Sequence, residues 1–360
     1  MSKLLRAPDE AAALELLHEF ECTDGLPVVI PTDERVQRMV LASGMDADLV
    51  LGAMGPAQGV ATVEKVAVSA VMAGCLPDYM PVVMGAVKAV LHPAFDLAEM
   101  QGTTHCTAPL IIVNGPARQD CGPIAGGFGA LGPGHRANAA IGRALRLAMI
   151  NIGGARPGVS DMALLGHPGK FTYCLAEDEE HSPFAPLHTA RGFALEDSVV
   201  TVVGAEAPHS VLHAIDADDP EDHLRLLEVL AIGLTNLATN NALIRNGAGV
   251  VVLNPDHAQV FADAGMDRQA VVEKLCELCR HSRADIETYG RSFMSWSKGD
   301  DWFPCFYDPE QILLLTAGGN GLYSMVMPTW CAGEHNNPAV SVALEVDQFC
   351  EIPGSDSAPA

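Results

Sequence analysis

With 360 residues, 49% of them hydrophobic and 18% charged, the chain can fill a core larger than one ordinary domain, and its composition excludes general disorder. A formal charge of −24 excludes the basic surface that nucleic acid requires and opposes docking on anionic membranes. No apolar run is long enough to span a bilayer, since the best of them, 66–91, is broken by Pro77, Asp78 and Pro81. The opening MSKLLRAPDEAAALELL lacks the apolar core of a signal peptide, and the ten cysteines follow no short secreted framework. Both features predict a cytoplasmic protein with reduced thiols. The 14 methionines and frequent Ala and Gly suit closely packed helices and a homo-oligomer.

In chain order, an amphipathic helix is expected over 9–20, with Ala12, Leu14, Leu16 and Leu17 on its apolar face. A unit then recurs: a short β-branched run, a Pro or Gly break, and a helix start. It occurs at 26–32 before a helix over 33–43, at 110–116, at 199–208 before a helix over 209–215, at 249–255 before 256–264, and at 312–319. Further helices are predicted over 62–73, 81–91, 136–152, 223–236 and 268–279, with Thr62 capping the first of these. Apolar strands alternating with helices predict an α/β fold with mostly parallel or mixed sheets and flanking helices. The words LASGMD (41–46) and DAGMD (263–267) suggest two related lobes, placed at 1–195 and 196–352 with a disordered tail at 353–360.

The stretch 110–158 carries the functional argument. An apolar strand runs into the glycine-dense loop GPARQDCGPIAGGFGALGPG, and a helix opens near His135 with Arg136 and Asn138 in its first turn. Glycine lets backbone amides approach a ligand, and a helix start offers unpaired N–H groups and a positive dipole end. The pattern predicts an anion site formed by Asn114, the amides of Gly132 and Gly134, Arg136 and Asn138, with Lys170 contributing charge. Arg143, two turns along the same helix, reads as a structural ion pair. The segment 166–188 adds His167, Lys170, Cys174, Glu177, Glu179, Glu180 and His181. From it, together with His105, the reading takes His105, Glu177 and Cys174 as acid, base or nucleophile. A divalent metal held by His105, His167, Glu177 or His181 is the alternative, although no HExxH word or tight ligand spacing is present. Cys276 and Cys279 read as core packing, His209 and His257 as satisfied histidines. Glycines 318, 319 and 321 could cradle a second part of a ligand, but no nucleotide fingerprint accompanies them.

Several words resemble a bacterial family associated with the UGSC (seleno)proteins: TDGLPVVIPTDERV (23–36), ATVEKVAVSAVMAGC (61–75), TTHCTAPLIIVNGP (103–116), GALGPGHRANAAIGRALRL (129–147), GHPGKFTYCLAEDEEHSPFAPLH (166–188), VVVLNPDHAQ (250–259) and LLLTAGGNGLYSMVMPTW (313–330). That resemblance implies a role beside a thiol or selenol redox protein. The Cys-Gly-Ser-Cys motif that names the family is absent from this sequence, so such chemistry would need a partner chain or another thiol. The residues themselves favour an enzyme of the lyase or hydrolase type, cleaving or rearranging a carbon–heteroatom bond in a small carboxylate-like metabolite. A metal-dependent enzyme and a substrate-holding partner of a redox protein are the two alternatives.

Overall fold

The computed structural model describes residues 4–291 and 301–344. Helices α1 (Glu10–Glu19) and α2 (Asp33–Ala42) start on side-chain caps, Asp9 accepting from Ala12 N–H and Thr32 from Arg35 N–H. The hairpin of β1 (Val50–Met54) and β2 (Gly59–Thr62) leads into α3 (Val63–Ala73), capped by Thr62 as its sequence predicts. Helices α4 (Met80–Leu91) and α5 (Leu97–Gly102) precede β3 (Ala108–Asn114), the short α6 (Ala117–Asp120) and the long α7 (Arg136–Asn151). Next come β4 (Cys174–Ala176), α8 (Leu187–Ala190), β5 (Val199–Ala205) and β6 (His209–Leu212). The chain continues through α9 (Asp222–Leu234), α10 (Asn240–Leu243), β7 (Gly249–Leu253), α11 (Pro255–Asp263) and α12 (Arg268–Leu278). A small pair, β8 (Arg280–Ser282) and β9 (Trp302–Pro304), accompanies α13 (Arg283–Tyr289). Strands β10 (Ile312–Thr316), β11 (Tyr323–Met327) and β12 (Val340–Ala343) follow.

Two four-stranded sheets organise these elements, in the orders β12-β5-β3-β4 and β10-β7-β11-β6. Each contains one parallel pair, β3 with β4 and β7 with β10, and is otherwise antiparallel. The sheets are therefore mixed. One strand crosses back between them: β3, β4 and β5 build the first sheet and β6, β7, β10 and β11 the second, after which β12 returns to pair with β5. The border expected at 195 falls between β4 and β5, which share one sheet.

Side-chain alternation explains the layering. Leu110 and Ile112 of β3 face one way, with Val203 and Ala205 of β5, Val250 and Val252 of β7, and Leu313 and Leu315 of β10. These residues form the core between the two sheets. Ile111, Val113, Val200 and Val202 point the other way, into helices α3, α4 and α7. Val251, Leu253 and Leu314 meet α9, α11 and α12. Strands buried on both faces need apolar residues at every position, which is why they read as unbroken runs. The result is a four-layered αββα sandwich.

Helix α4 is buried nearly all round, and side chains such as Met80, Val83 and Val87 each contribute about 1.5–3 kcal/mol of hydrophobic stabilisation. Among the described residues no single helix is long and apolar enough to cross a membrane. The related words at 41–46 and 263–267 mark the same event: α2 and α11 both stop on a left-handed glycine, Gly44 (φ 67°) and Gly265 (φ 77°).

Two expected elements differ. The helix predicted over 209–215 is the strand β6, where Val211 is buried between exposed neighbours and the backbone pairs with β11. Residues 26–32 are not a strand of either sheet; Val29 N–H donates to Met72 O, outside any ladder. The sequence tail expected to be disordered lies outside the described residues.

Candidate functional site

The parallel pair β3 and β4 ends at Asn114 and Ala176, and the glycine loop runs from that edge to the start of α7. Open α/β sheets place ligands outside such carboxyl ends. The loop is fastened by Asn138, which is buried. Its Oδ1 accepts Ala125 N–H at 2.9 Å, and its Nδ2 donates to Ala125 O (2.9 Å), Ala130 O (3.1 Å) and Cys174 O (3.3 Å). Asn138 is thus spent on backbone and is a positioning residue, not the substrate contact its sequence position implied. Gly126 lies against the β4 end so closely that a Cβ would meet Ala176 O at 2.8 Å and Asp178 N at 2.9 Å.

Helix α7, 16 residues long, begins with His135 at its N-cap and has no side-chain capping hydrogen bond. Its first-turn amides therefore retain their capacity to bind an anion. They open on a cavity of about 420 Å³ lined by Gly134, His135, Arg136 and Ala137 on one side and by Arg118, Asp178, Glu180 and His181 on another. Gly134 (φ 110°) adopts a backbone conformation that other residues rarely reach. Arg136 is exposed and spends one N–H on Gly74 O at 3.0 Å, leaving further donors on its guanidinium. Gly132, by contrast, donates to Gly129 O at 2.6 Å and does not line the cavity. An open cavity thus lies beside Gly134 and Arg136, where the sequence placed an anion site.

Behind the cavity lies a buried polar cluster. Glu177 is 0% exposed and accepts from Asn114 Nδ2 at 2.6 Å, Leu187 N–H at 2.7 Å and Arg268 Nη2 at 2.7 Å. Its carboxylate is consumed by these donors, so Glu177 supports the site and does not act as its base. Asn114 bridges Glu177 and Glu179 and stands behind the cavity wall, to which Glu177 itself contributes. Arg118 is buried and fully coordinated: Nε donates to Gly115 O, Nη1 to Glu177 O and Glu180 Oε2, and Nη2 to Glu179 Oε2 and Glu180 Oε1. Burial lowers the pKa of Arg118, but Glu180, Glu179 and Glu177 more than reverse this and hold the guanidinium charged.

The histidine of the cavity that pairs with a carboxylate is His181. Its Nδ1 lies 2.9 and 3.0 Å from the two oxygens of Asp178, a buried carboxylate, while the imidazole side chain is 72% exposed. The hydrogen bond from Nδ1–H to Asp178 raises the histidine pKa above its ordinary value. It also fixes the tautomer, leaving Nε2 as the base when the ring is neutral.

The remaining predicted residues are dispersed. His105 precedes β3 at its other end, with Nε2 at 2.8 Å from Glu206 Oε1. A strand of seven residues, about 20 Å long, separates it from Glu177. Lys170 belongs to that far end, donating to Asp161 Oδ1 at 2.8 Å, where Arg146 also pairs. Cys174 is buried in β4, and burial pushes its thiol far up, which removes it as a nucleophile. Arg143 makes a two-pronged pair with Asp24 at 2.8 Å, the structural role expected of it. His257 is buried between Ser324 Oγ and His213 O, whereas His209 is an exposed residue of β6. The late glycines dock on the loop instead of a ligand: Gly318 N–H donates to Gly126 O, and Gly319 leaves no room for a Cβ against Phe128. Among the described residues, His105, His167, Glu177 and His181 do not gather as metal ligands; one His/carboxylate group with converging ligand atoms occurs, at Asp96, Glu334 and His335.

Arg118, Asp178 and Arg268 were not singled out by sequence. Arg118 lies in a short helix after Gly115-Pro116 that gives no periodic signal, and Arg268 reaches Glu177 across 91 positions. Comparison with known proteins found no matching family model, no matching curated protein and no matching solved structure.

Proposed function

We propose that the protein is a cytoplasmic enzyme acting on a small carboxylate-like anion, cleaving or rearranging a carbon–heteroatom bond by acid/base chemistry. The observation that carries this reading is one cavity shared by an uncapped helix start and a carboxylate-paired histidine. The α7 amides, Gly134 and Arg136 bind the anion; guanidinium donors suit a planar carboxylate. Asp178 holds Nδ1–H of His181, so Nε2 takes a proton from the substrate carbon or from a water that attacks it. His135, whose Nε2–H is committed to Phe128 O at 3.0 Å, shapes the rim. No described cysteine lines the cavity, and burial raises the pKa of the Cys174 thiol, so the thiols have no part in the proposed reaction.

The test has two parts. Acetate binding measured by calorimetry should weaken in Arg136→Ala, by about tenfold for one lost charge-assisted contact. With a substrate identified by screening small carboxylates, His181→Asn should keep binding and lose turnover by about 10²–10⁴-fold. Acetate affinity unchanged by Arg136→Ala would sink the anion site, and full turnover in His181→Asn would remove the proton-transfer role.

A further inference from the structure

Arg118 and Arg136 line the same cavity, but only Arg118 has a carboxylate on its fork. Three partners fix the Arg118 guanidinium from behind: Gly115 O on Nε, Glu177 O on Nη1 and Glu179 Oε2 on Nη2. The two N–H groups left over are adjacent and parallel. They meet both oxygens of Glu180, at 2.8 and 2.9 Å. Glu180 differs from the others in being 56% exposed at its side chain, whereas the side chains of Arg118 and Glu179 are 10% and 12% exposed. A buried cation facing a cavity is thus covered by one exposed surface carboxylate. An exposed partner stabilises weakly because it gives up solvent and side-chain freedom to pair.

We propose that Arg118 is the second anion locus of this cavity and that Glu180 is its internal stand-in, displaced by the ligand, which is therefore a dicarboxylate. This inference rests on the reading of α7 and Arg136 as the first locus. A carboxylate presents the same two oxygens to the same fork as Glu180, so exchange costs no rearrangement of the buried partners. A monocarboxylate anchored at α7 gains nothing from Arg118. A dicarboxylate spanning the cavity swaps one pairing for another while gaining the helix start. The displaced Glu180 keeps its charge but, being exposed, turns to water, where that charge is screened. Glu180 also sets a threshold, since only a ligand held at both ends competes with it effectively.

The test uses succinate as the probe and calorimetry on the whole protein. Removing the stand-in with Glu180→Gln should tighten succinate binding by about two- to fivefold, the fold-change expected when an exposed pair no longer competes. Adding Arg118→Gln to that variant should abolish the gain. Glu180 is exposed, so its substitution leaves the buried cluster intact, and thermal melting of the single variant checks this. If Glu180→Gln leaves succinate affinity unchanged or weaker while Arg136→Ala weakens it, Arg118 is no locus and the α7 reading stands alone. If Glu180→Gln tightens succinate but Arg136→Ala has no effect, the two-ended ligand is wrong and so is the first locus. Absence of any succinate binding by the wild type overturns the inference.

Discussion

Replacing Arg268 by alanine tests the reassignment of Glu177 from base to buried support. Arg268 and Glu177 form an ion pair at 2.7 Å with side chains 9% and 0% exposed. Arg268→Ala leaves a fully buried carboxylate with two neutral donors, Asn114 Nδ2 and Leu187 N–H. Breaking one side of a buried pair costs about 3–5 kcal/mol. With an unfolding entropy of about 2.1 cal/mol/K per residue, 360 residues give about 0.75 kcal/mol/K. The expected fall in Tm by scanning calorimetry is therefore about 4–7 °C. Adding Glu177→Gln to Arg268→Ala removes the stranded charge and should restore much of the loss. A shift below one degree in Arg268→Ala, or no recovery in the double variant, refutes the supporting role.

Other outcomes follow from the same geometry. Asn138→Ala removes the fastening of the glycine loop and should cost about 2–4 kcal/mol in guanidinium unfolding, with loss of acetate binding; retained affinity would show that the loop is held otherwise. The His181 imidazole, followed by NMR, should titrate above its ordinary pKa of about 6.5 and return toward it in Asp178→Asn. Because its folded pKa is raised, the stability that this pair contributes is fully present below the unfolded value and fades as pH rises through the folded one. A histidine titrating at or below the ordinary value contradicts the pairing. Iodoacetamide should leave Cys174, and Cys75 with its thiol pushed up to about 12, unmodified in the folded protein at neutral pH; rapid alkylation of Cys174 seen by mass spectrometry would restore a thiol mechanism.

The sequence made the helices and the central strands readable because burial on both faces forces continuous apolar runs, as at Leu110–Val113 and in Gly249–Leu253. It also located the helix start at Arg136, since glycine density and an abrupt change of periodicity are local signals. Strand β6 was misread because His209–Leu212 sits at a sheet edge, where only Val211 is buried and Pro208 mimics a helix start. The site was half legible for the same reason. Gly134 and Arg136 share one loop and helix start, but Glu177 is held by Arg268 and Asn114, and His181 pairs with a carboxylate three residues earlier. Sequence proximity suggested that Cys174 and Lys170 join Glu177. In fact Cys174 lies inside β4, and Lys170 at the far end of the sheet pairs with Asp161.

The return of β12 to the first sheet dictates when this molecule can be finished. As the chain leaves the ribosome, β5 emerges long before β12, so its free edge has no partner until nearly all the described residues have been made. An unpaired edge of Val199–Ala205 is a template for other nascent chains, which makes late synthesis the vulnerable interval. Splitting the gene between β5 and β6 would leave the first fragment without β12, while the second keeps all four strands of its own sheet and carries β12 besides. The first fragment should therefore aggregate alone and be kept soluble by the second.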